Sequence, residues 1–178
     1  MPKTLEQIVL EQEYKDVVWN AFQQCVFSII KGPVDTRKVH WFYDPVGNTG
    51  KSYLCKYLLM TKSVILVDGK KQDVLHQIVM WNESRKSDEL IDAVIIDLPR
   101  DSIHSFHYSL LETLKNGFIQ SGKYEGGRVI FPIPHVIVFA NQQPDYSKWS
   151  EDRYSLFLVG SSGVEPVQPG GDLRSGRK

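Results

Sequence analysis

Three short apolar runs, Ser63-Val-Ile-Leu-Val67, Asp92-Ala-Val-Ile-Ile-Asp97 and His135-Val-Ile-Val-Phe-Ala140, alternate with segments of helical period. No other feature of the sequence constrains the fold as strongly. A strand that is apolar at successive positions has to be covered on both faces, and helices between such strands supply the cover. The order predicts an α/β fold with a central, mostly parallel sheet flanked by helices. A fourth run, Arg37-Lys-Val-His-Trp-Phe-Tyr43, is basic and aromatic and also reads as a strand. The intervening helices are predicted at Lys51–Met60, residues 72–82 and about 104–119, the last with Leu110, Leu111, Leu114 and Phe118 on one side.

Upstream, residues 4–31 carry Leu5, Ile8, Val9, Val17, Val18, Phe22, Val26, Ile29 and Ile30 at helical spacing, with no Gly or Pro among them. One or two amphipathic helices are expected there, closed by Lys31-Gly32-Pro33. From Gly160 the composition turns to Gly, Pro and Ser, which predicts a flexible tail, either a linker or an appended sequence. The expected division is a helical segment over 1–35, an α/β domain over 36–160 and a tail over 161–178.

Between the first strand and its helix lies Asp44-Pro-Val-Gly-Asn-Thr-Gly-Lys-Ser52. Its ending matches the phosphate-binding loop G-x-x-x-x-G-K-[ST], while Pro45 stands at the first glycine of that pattern. A loop between a buried strand and a helix offers consecutive backbone N–H groups and the positive end of the helix dipole to an anion. Lys51 would reach the outer phosphates of ATP and the Ser52 hydroxyl would ligate Mg²⁺. The candidate nucleotide-binding residues are Gly47, Asn48, Thr49, Gly50, Lys51, Ser52 and Tyr53. Pro45 fixes φ at the mouth of the loop, and Gly47 and Gly50 keep the positions that need freedom.

Two strand ends belong with this loop. Asp97 closes an apolar strand, where nucleotide hydrolases hold Mg²⁺. Asn141 closes another, where an amide can sense the terminal phosphate or orient water; alone, such an Asn is more often a turn former. Leu98 follows Asp97 at the place of the second acid that polarises water in many such ATPases, so the catalytic base is unassigned.

Lys plus Arg and Asp plus Glu number 21 each, so there is no overall basic field, and a nucleic-acid partner requires a local patch. No apolar run approaches the roughly 20 residues of a membrane span. The amino terminus lacks the apolar core of a signal peptide, and Cys25 and Cys55 lack metal-site spacing, so reduced thiols in an intracellular protein are expected. The five histidines show no ligand spacing and read as structural.

The ordered motifs Gly-Asn-Thr-Gly-Lys-Ser, Ile-Ile-Asp-Leu-Pro-Arg, Ser-Gly-Lys-Tyr-Glu, His-Val-Ile-Val-Phe-Ala-Asn-Gln-Gln-Pro-Asp and Ser-Glu-Asp-Arg-Tyr run from about Trp41 to Tyr154. Together they resemble the superfamily three helicase domain of replication-associated (Rep) proteins of circovirus-like and nanovirus-like circular single-stranded DNA viruses. The resemblance implies a P-loop NTPase of the AAA+-like kind that uses ATP and Mg²⁺ and moves 3′ to 5′ on single-stranded DNA. ATP is then hydrolysed between subunits of a homo-oligomeric, hexameric ring. Lys51 and Ser52 match the phosphate and Mg²⁺ residues, Asp97 the Walker B acid and Asn141 the sensor.

By the same resemblance the helices of residues 1–35 fall where relatives have an oligomerisation segment. Arg153 matches a downstream arginine that reaches a neighbour's ATP; a surface pairing with Asp152 or Glu151 is the plainer alternative. A basic hairpin is implied between the Asp97 and Asn141 strands, with Lys115, Lys123, Tyr124 and Arg128 as candidate DNA contacts. Lys123 suits a phosphate and Tyr124 a base, whereas a solvated hairpin tip is the alternative and Lys115 reads better on the preceding helix. The family's upstream endonuclease domain is expected to be absent from this chain, and the host nucleus is the implied location in a eukaryotic host. Two rivals stay open: a small nucleotide kinase, and a degenerate nucleotide-binding assembly module marked by Pro45 and Leu98.

Overall fold

The computed structural model describes residues 1–120 and 128–169. Its centre is a six-stranded sheet. Five strands are parallel: β1 (Val39–Tyr43), β2 (Val64–Val67), β3 (Ala93–Asp97), β6 (His135–Ala140) and β7 (Tyr154–Gly160). The sixth, β8 (Gly163–Val167), is antiparallel at one edge, and the spatial order is β2-β3-β6-β1-β7-β8. The helices are α1 (Leu5–Glu13), α2 (Ala21–Lys31), α3 (Lys51–Thr61), α4 (Lys71–Ser84) and α5 (Ser109–Asn116).

Strand alternation divides the core into two layers. Trp41, Tyr43, Val94, Ile96, Val136 and Val138 face α4 and α5, which contribute Val74, Ile78, Leu110, Leu111 and Leu114. Phe42, Ala93, Ile95, Ile137 and Phe139 face α2 and α3, which contribute Phe22, Val26, Leu54 and Leu58. Near-continuous burial along β3 and β6 is what the apolar runs require, because each face has its own helical cover.

Several boundaries differ from expectation. The segment 1–35 is not separate from the α/β domain: Phe22 and Val26 of α2 are 3% and 0% exposed within the core, while α1 buries no residue. The expected helix over 104–119 is a 3₁₀ turn at Ile103–Ser105 followed by α5, which stops at Gly117 with φ 77°. Phe118 starts a small hairpin of β4 (Phe118–Gln120) and β5 (Arg128–Ile130) instead. The expected tail contains β8, an edge strand held by ladder bonds to β7 from Leu156↔Val167 to Gly160↔Gly163. Pro166 is tolerated there because an edge strand leaves alternate N–H groups unpaired.

Candidate functional site

The site forms where three neighbouring strands end. β6 lies between β3 and β1, with Asp97 opposite Phe139 and Tyr43 opposite Ala140. Parallel pairing therefore brings Asp97, Asn141 and the loop after Tyr43 to one edge of the sheet. This is the carboxyl edge at which open α/β folds bind ligands.

The loop is built from left-handed residues. Gly47, Asn48 and Gly50 have φ of 90°, 60° and 86°, and Asn is among the few residues with a side chain that accept that region readily. Asp44 sets the turn: its Oδ1 accepts from the N–H of Val46 at 3.2 Å and of Gly47 at 2.7 Å, and its Oδ2 accepts from Thr49 Oγ1 at 2.6 Å. Where the motif lacks its first glycine, a side-chain clasp gives the curvature instead.

A second clasp comes from α2. Asn20 and Gln23 cap that helix reciprocally, each side-chain oxygen accepting from the other's backbone N–H at 2.8–2.9 Å. Their amide nitrogens then donate to the loop, Asn20 Nδ2 to Thr49 O at 2.9 Å and Gln23 Nε2 to Gly50 O at 3.0 Å. With these carbonyls occupied, the loop can turn its N–H groups toward a ligand. Asp44, Asn20 and Gln23 escaped the sequence reading; the Asp-Pro-x-Gly turn and the Asn-x-x-Gln cap were legible, but not their second use.

Lys51 opens α3, and its Nζ lies 3.2 Å from Asp97 Oδ1 with the two side chains 32% and 38% exposed. A pair this open is worth about 0–1 kcal/mol, so a polyanion can readily take the ammonium from the carboxylate. Ser52 and Asn141 line the same hollow, whose volume is 240 Å³, with Gly47, Asn48, Thr49, Gly50, Tyr53, Leu98 and Arg100. That is below the roughly 300–1,000 Å³ of a whole-ligand pocket. It suits a chain of phosphates, with the rest of a nucleotide lying outside. Trp41 Nε1 donates to Gln142 O at 2.9 Å and pins the backbone beside Asn141.

Ser52 hydroxyl and Asp97 carboxylate are hard oxygen donors, the type Mg²⁺ takes in ones and twos alongside phosphate oxygens and water. The residues present therefore fit that ion. The Tyr53 ring stacks on Tyr14 with centroids 4.3 Å apart, and its hydroxyl donates to Glu13 O. Cys55, one turn into α3, has its thiol pushed up to about 12 by burial, with Asp97 adding to the effect and Lys51 opposing it.

The remaining candidates are not gathered here. Arg153 directly precedes Tyr154, the partner of Val39, and so lies at the opposite end of β1, about 13 Å of strand away from the loop. Its guanidinium covers the Trp149 ring at 4.4 Å, its Nε donates to Arg37 O at 3.2 Å, and one terminal nitrogen is 3.6 Å from Glu112. Neither Glu151 nor Asp152 pairs with it; Asp152 pairs with Arg37.

Lys115 cannot serve as a surface DNA contact. It is 4% exposed, and its Nζ donates to Asp35 O at 2.7 Å and Pro134 O at 3.4 Å. Arg128 stands on the exposed side of the hairpin, opposite Gln120. Lys123 and Tyr124 lie outside the described residues. No group of three or more metal-type side chains occurs among the described residues, and no described helix is long and apolar enough to cross a membrane.

No protein-family model matches the chain. Among known proteins it is 34% identical over 137 residues to Para-Rep C9 of Faba bean necrotic yellows C9 alphasatellite, which covers 76% of this chain and 46% of that protein. It is 33% identical over 162 residues to Para-Rep C3 of Milk vetch dwarf C3 alphasatellite, covering 86% and 54%. It is 37% identical over 120 residues to the master replication protein of Banana bunchy top virus, covering 67% and 39%. The chain thus spans about half the length of the relatives it matches, and it is a relative of the Rep proteins of nanoviruses and their alphasatellites.

Proposed function

We propose that this chain is an ATP-hydrolysing, P-loop helicase or translocase module that acts on single-stranded DNA in rolling-circle replication of a small circular DNA. The observation that carries the reading is the Lys51–Asp97 pair at 3.2 Å beside a loop of left-handed residues, with Lys51 and Asn141 lining one hollow. The loop N–H groups and the α3 dipole bind the phosphates, and Lys51 neutralises the outer ones. Asp97, once Lys51 has moved to phosphate, and Ser52 would hold Mg²⁺, which neutralises charge on the phosphate oxygens when bound. Asn141 orients the attacking water or reports the terminal phosphate.

Kinship to replication proteins supports the DNA substrate, and the exposed Arg128 on the β4–β5 hairpin supports a basic contact there; Lys123 and Tyr124, outside the described residues, are further candidates by sequence. Arg153, remote from its own loop, acts on a neighbour's nucleotide in a hexameric ring. Translocation from 3′ to 5′ and a nuclear site of action complete the reading. A second reading, an assembly module without turnover, draws on Leu98: it is 4% exposed and packed toward Gly69, so no second acid follows Asp97.

ATP turnover measured with and without single-stranded DNA separates the two. The hydrolase reading expects stimulation by DNA, and loss of turnover in Lys51→Ala with the fold intact by circular dichroism. ATPase activity that survives Lys51→Ala would overturn it.

A further inference from the structure

Arg100 is the cation in the hollow that no role above absorbs. It lies three residues beyond Asp97 in Asp97-Leu-Pro-Arg100, is exposed, and lines the phosphate hollow with Lys51, Ser52 and Asn141. One terminal guanidinium nitrogen is 3.5 Å from Val46 O, and a Cβ added to Gly47 would stand 3.1 Å from the same atom. A side chain at position 47 would therefore crowd it. No carboxylate pairs with Arg100 among the described residues, whereas Arg37 is paired with Asp152 and Arg153 with Glu112. Two acids beside the loop are already engaged, Asp44 by three donors of its own loop and Asp97 by Lys51. A planar five-donor cation thus rests over an anion-binding loop, held by one long contact to a carbonyl.

Phosphoryl transfer asks little of a protein beyond positioning and neutralising charge on the terminal oxygens. Leu98 supplies no acid, and two residues later Arg100 lines the hollow in which that charge would develop. The fork geometry of arginine suits phosphate.

We propose that Arg100 is a catalytic residue supplied in cis, contacting the terminal phosphate of bound nucleoside triphosphate and stabilising its transfer to water. This rests on the hydrolase reading given above. In the step, the water oxygen bonds to the γ-phosphorus as the bond from that phosphorus to the β,γ-bridging oxygen breaks. The bond electrons leave with ADP. One water proton stays on inorganic phosphate, the other passes to solvent, and Arg100 keeps its protons throughout.

The test compares wild type, Arg100→Ala and Arg100→Lys as full chains, in steady-state ATPase, ADP binding and capture of ADP with fluoroaluminate. Arg100→Ala is expected to lower kcat about 10²–10³-fold and to weaken fluoroaluminate capture by a like factor. ADP affinity and melting temperature should stay near wild type, Arg100→Lys should fall between, and free guanidinium at millimolar concentration should restore part of the Arg100→Ala rate. Unchanged kcat in Arg100→Ala, or a fall in ADP affinity as large as the fall in fluoroaluminate capture, overturns the assignment while the hydrolase reading stands. If wild type itself does not turn ATP over, both fail together.

Discussion

Lys115 offers the sharpest quantitative test of the fold, because its burial replaced an expected DNA contact. Its ammonium sits at the amino-terminal end of the sheet, holding the strap before β1 through Asp35 O and the turn before β6 through Pro134 O. Burial lowers its pKa from 10.5 to about 8, Asp35 opposing the shift and Arg153 adding to it. A lysine depressed in this way binds fewer protons folded than unfolded between those two values. Stability therefore rises with pH through that window, and the cost of the buried charge is fully present below about pH 8. Integrated from pH 7.5 to 9.5, the linkage amounts to about 2 kcal/mol.

Other groups act in the same range. Cys25 and Cys55 have thiols pushed up by burial, so their contribution falls as pH rises. The difference between wild type and Lys115→Met isolates the lysine. Urea unfolding followed by tryptophan fluorescence at half-unit pH steps should show wild type gaining about 2 kcal/mol on Lys115→Met between pH 7.5 and 9.5. A difference that is flat with pH would refute the buried-ammonium argument. Single-stranded DNA affinity should be the same in both proteins, and a large loss in Lys115→Met would restore the contact role.

Two further outcomes follow from the loop. Gly50 has φ 86° and a Cβ there would lie 2.6 Å from Gln23 Nε2, so Gly50→Ala combines left-handed strain with loss of a half-buried hydrogen bond. We expect it to cost about 2–3 kcal/mol and to weaken ADP binding more than tenfold; calorimetric binding at wild-type strength would show that neither constraint shapes the loop. Cys55 is 5% exposed with its thiol pushed up to about 12, so at pH 8 it should resist iodoacetamide until the chain unfolds. Native labelling of Cys55 at the rate of a free thiol, read by peptide mass mapping, would contradict the packing of α3 on the sheet.

Much of this was legible in the sequence. The apolar runs at Val64–Val67, Ala93–Asp97 and His135–Ala140 code for buried strands locally, by composition and length. Segments of helical period between them imply a parallel sheet, and a parallel sheet brings the carboxyl ends of neighbouring strands together. For that reason Lys51, Asp97 and Asn141 could be read as one site from their order alone. β7 was not read because its apolar residues are exposed to both cores unevenly: Tyr154 and Leu156 pack on one side, Val159 on the other.

Only the tertiary structure decided the rest, and in each case the deciding contact is long-range in sequence. β8 is a strand because β7 offers it unpaired backbone groups, not because Gly163-Val-Glu-Pro-Val167 has strand propensity. Asn20 and Gln23 look like an ordinary helix cap, and their grip on Thr49 and Gly50 appears only when α2 lies on the sheet. Lys115 and Arg100 are both basic residues between Asp97 and Asn141 in sequence. Packing of α5 against the segments before β1 and β6 buries the first at one end of the sheet, while the second, in the segment that leaves the carboxyl end of β3, stays exposed beside the Asp44–Ser52 loop.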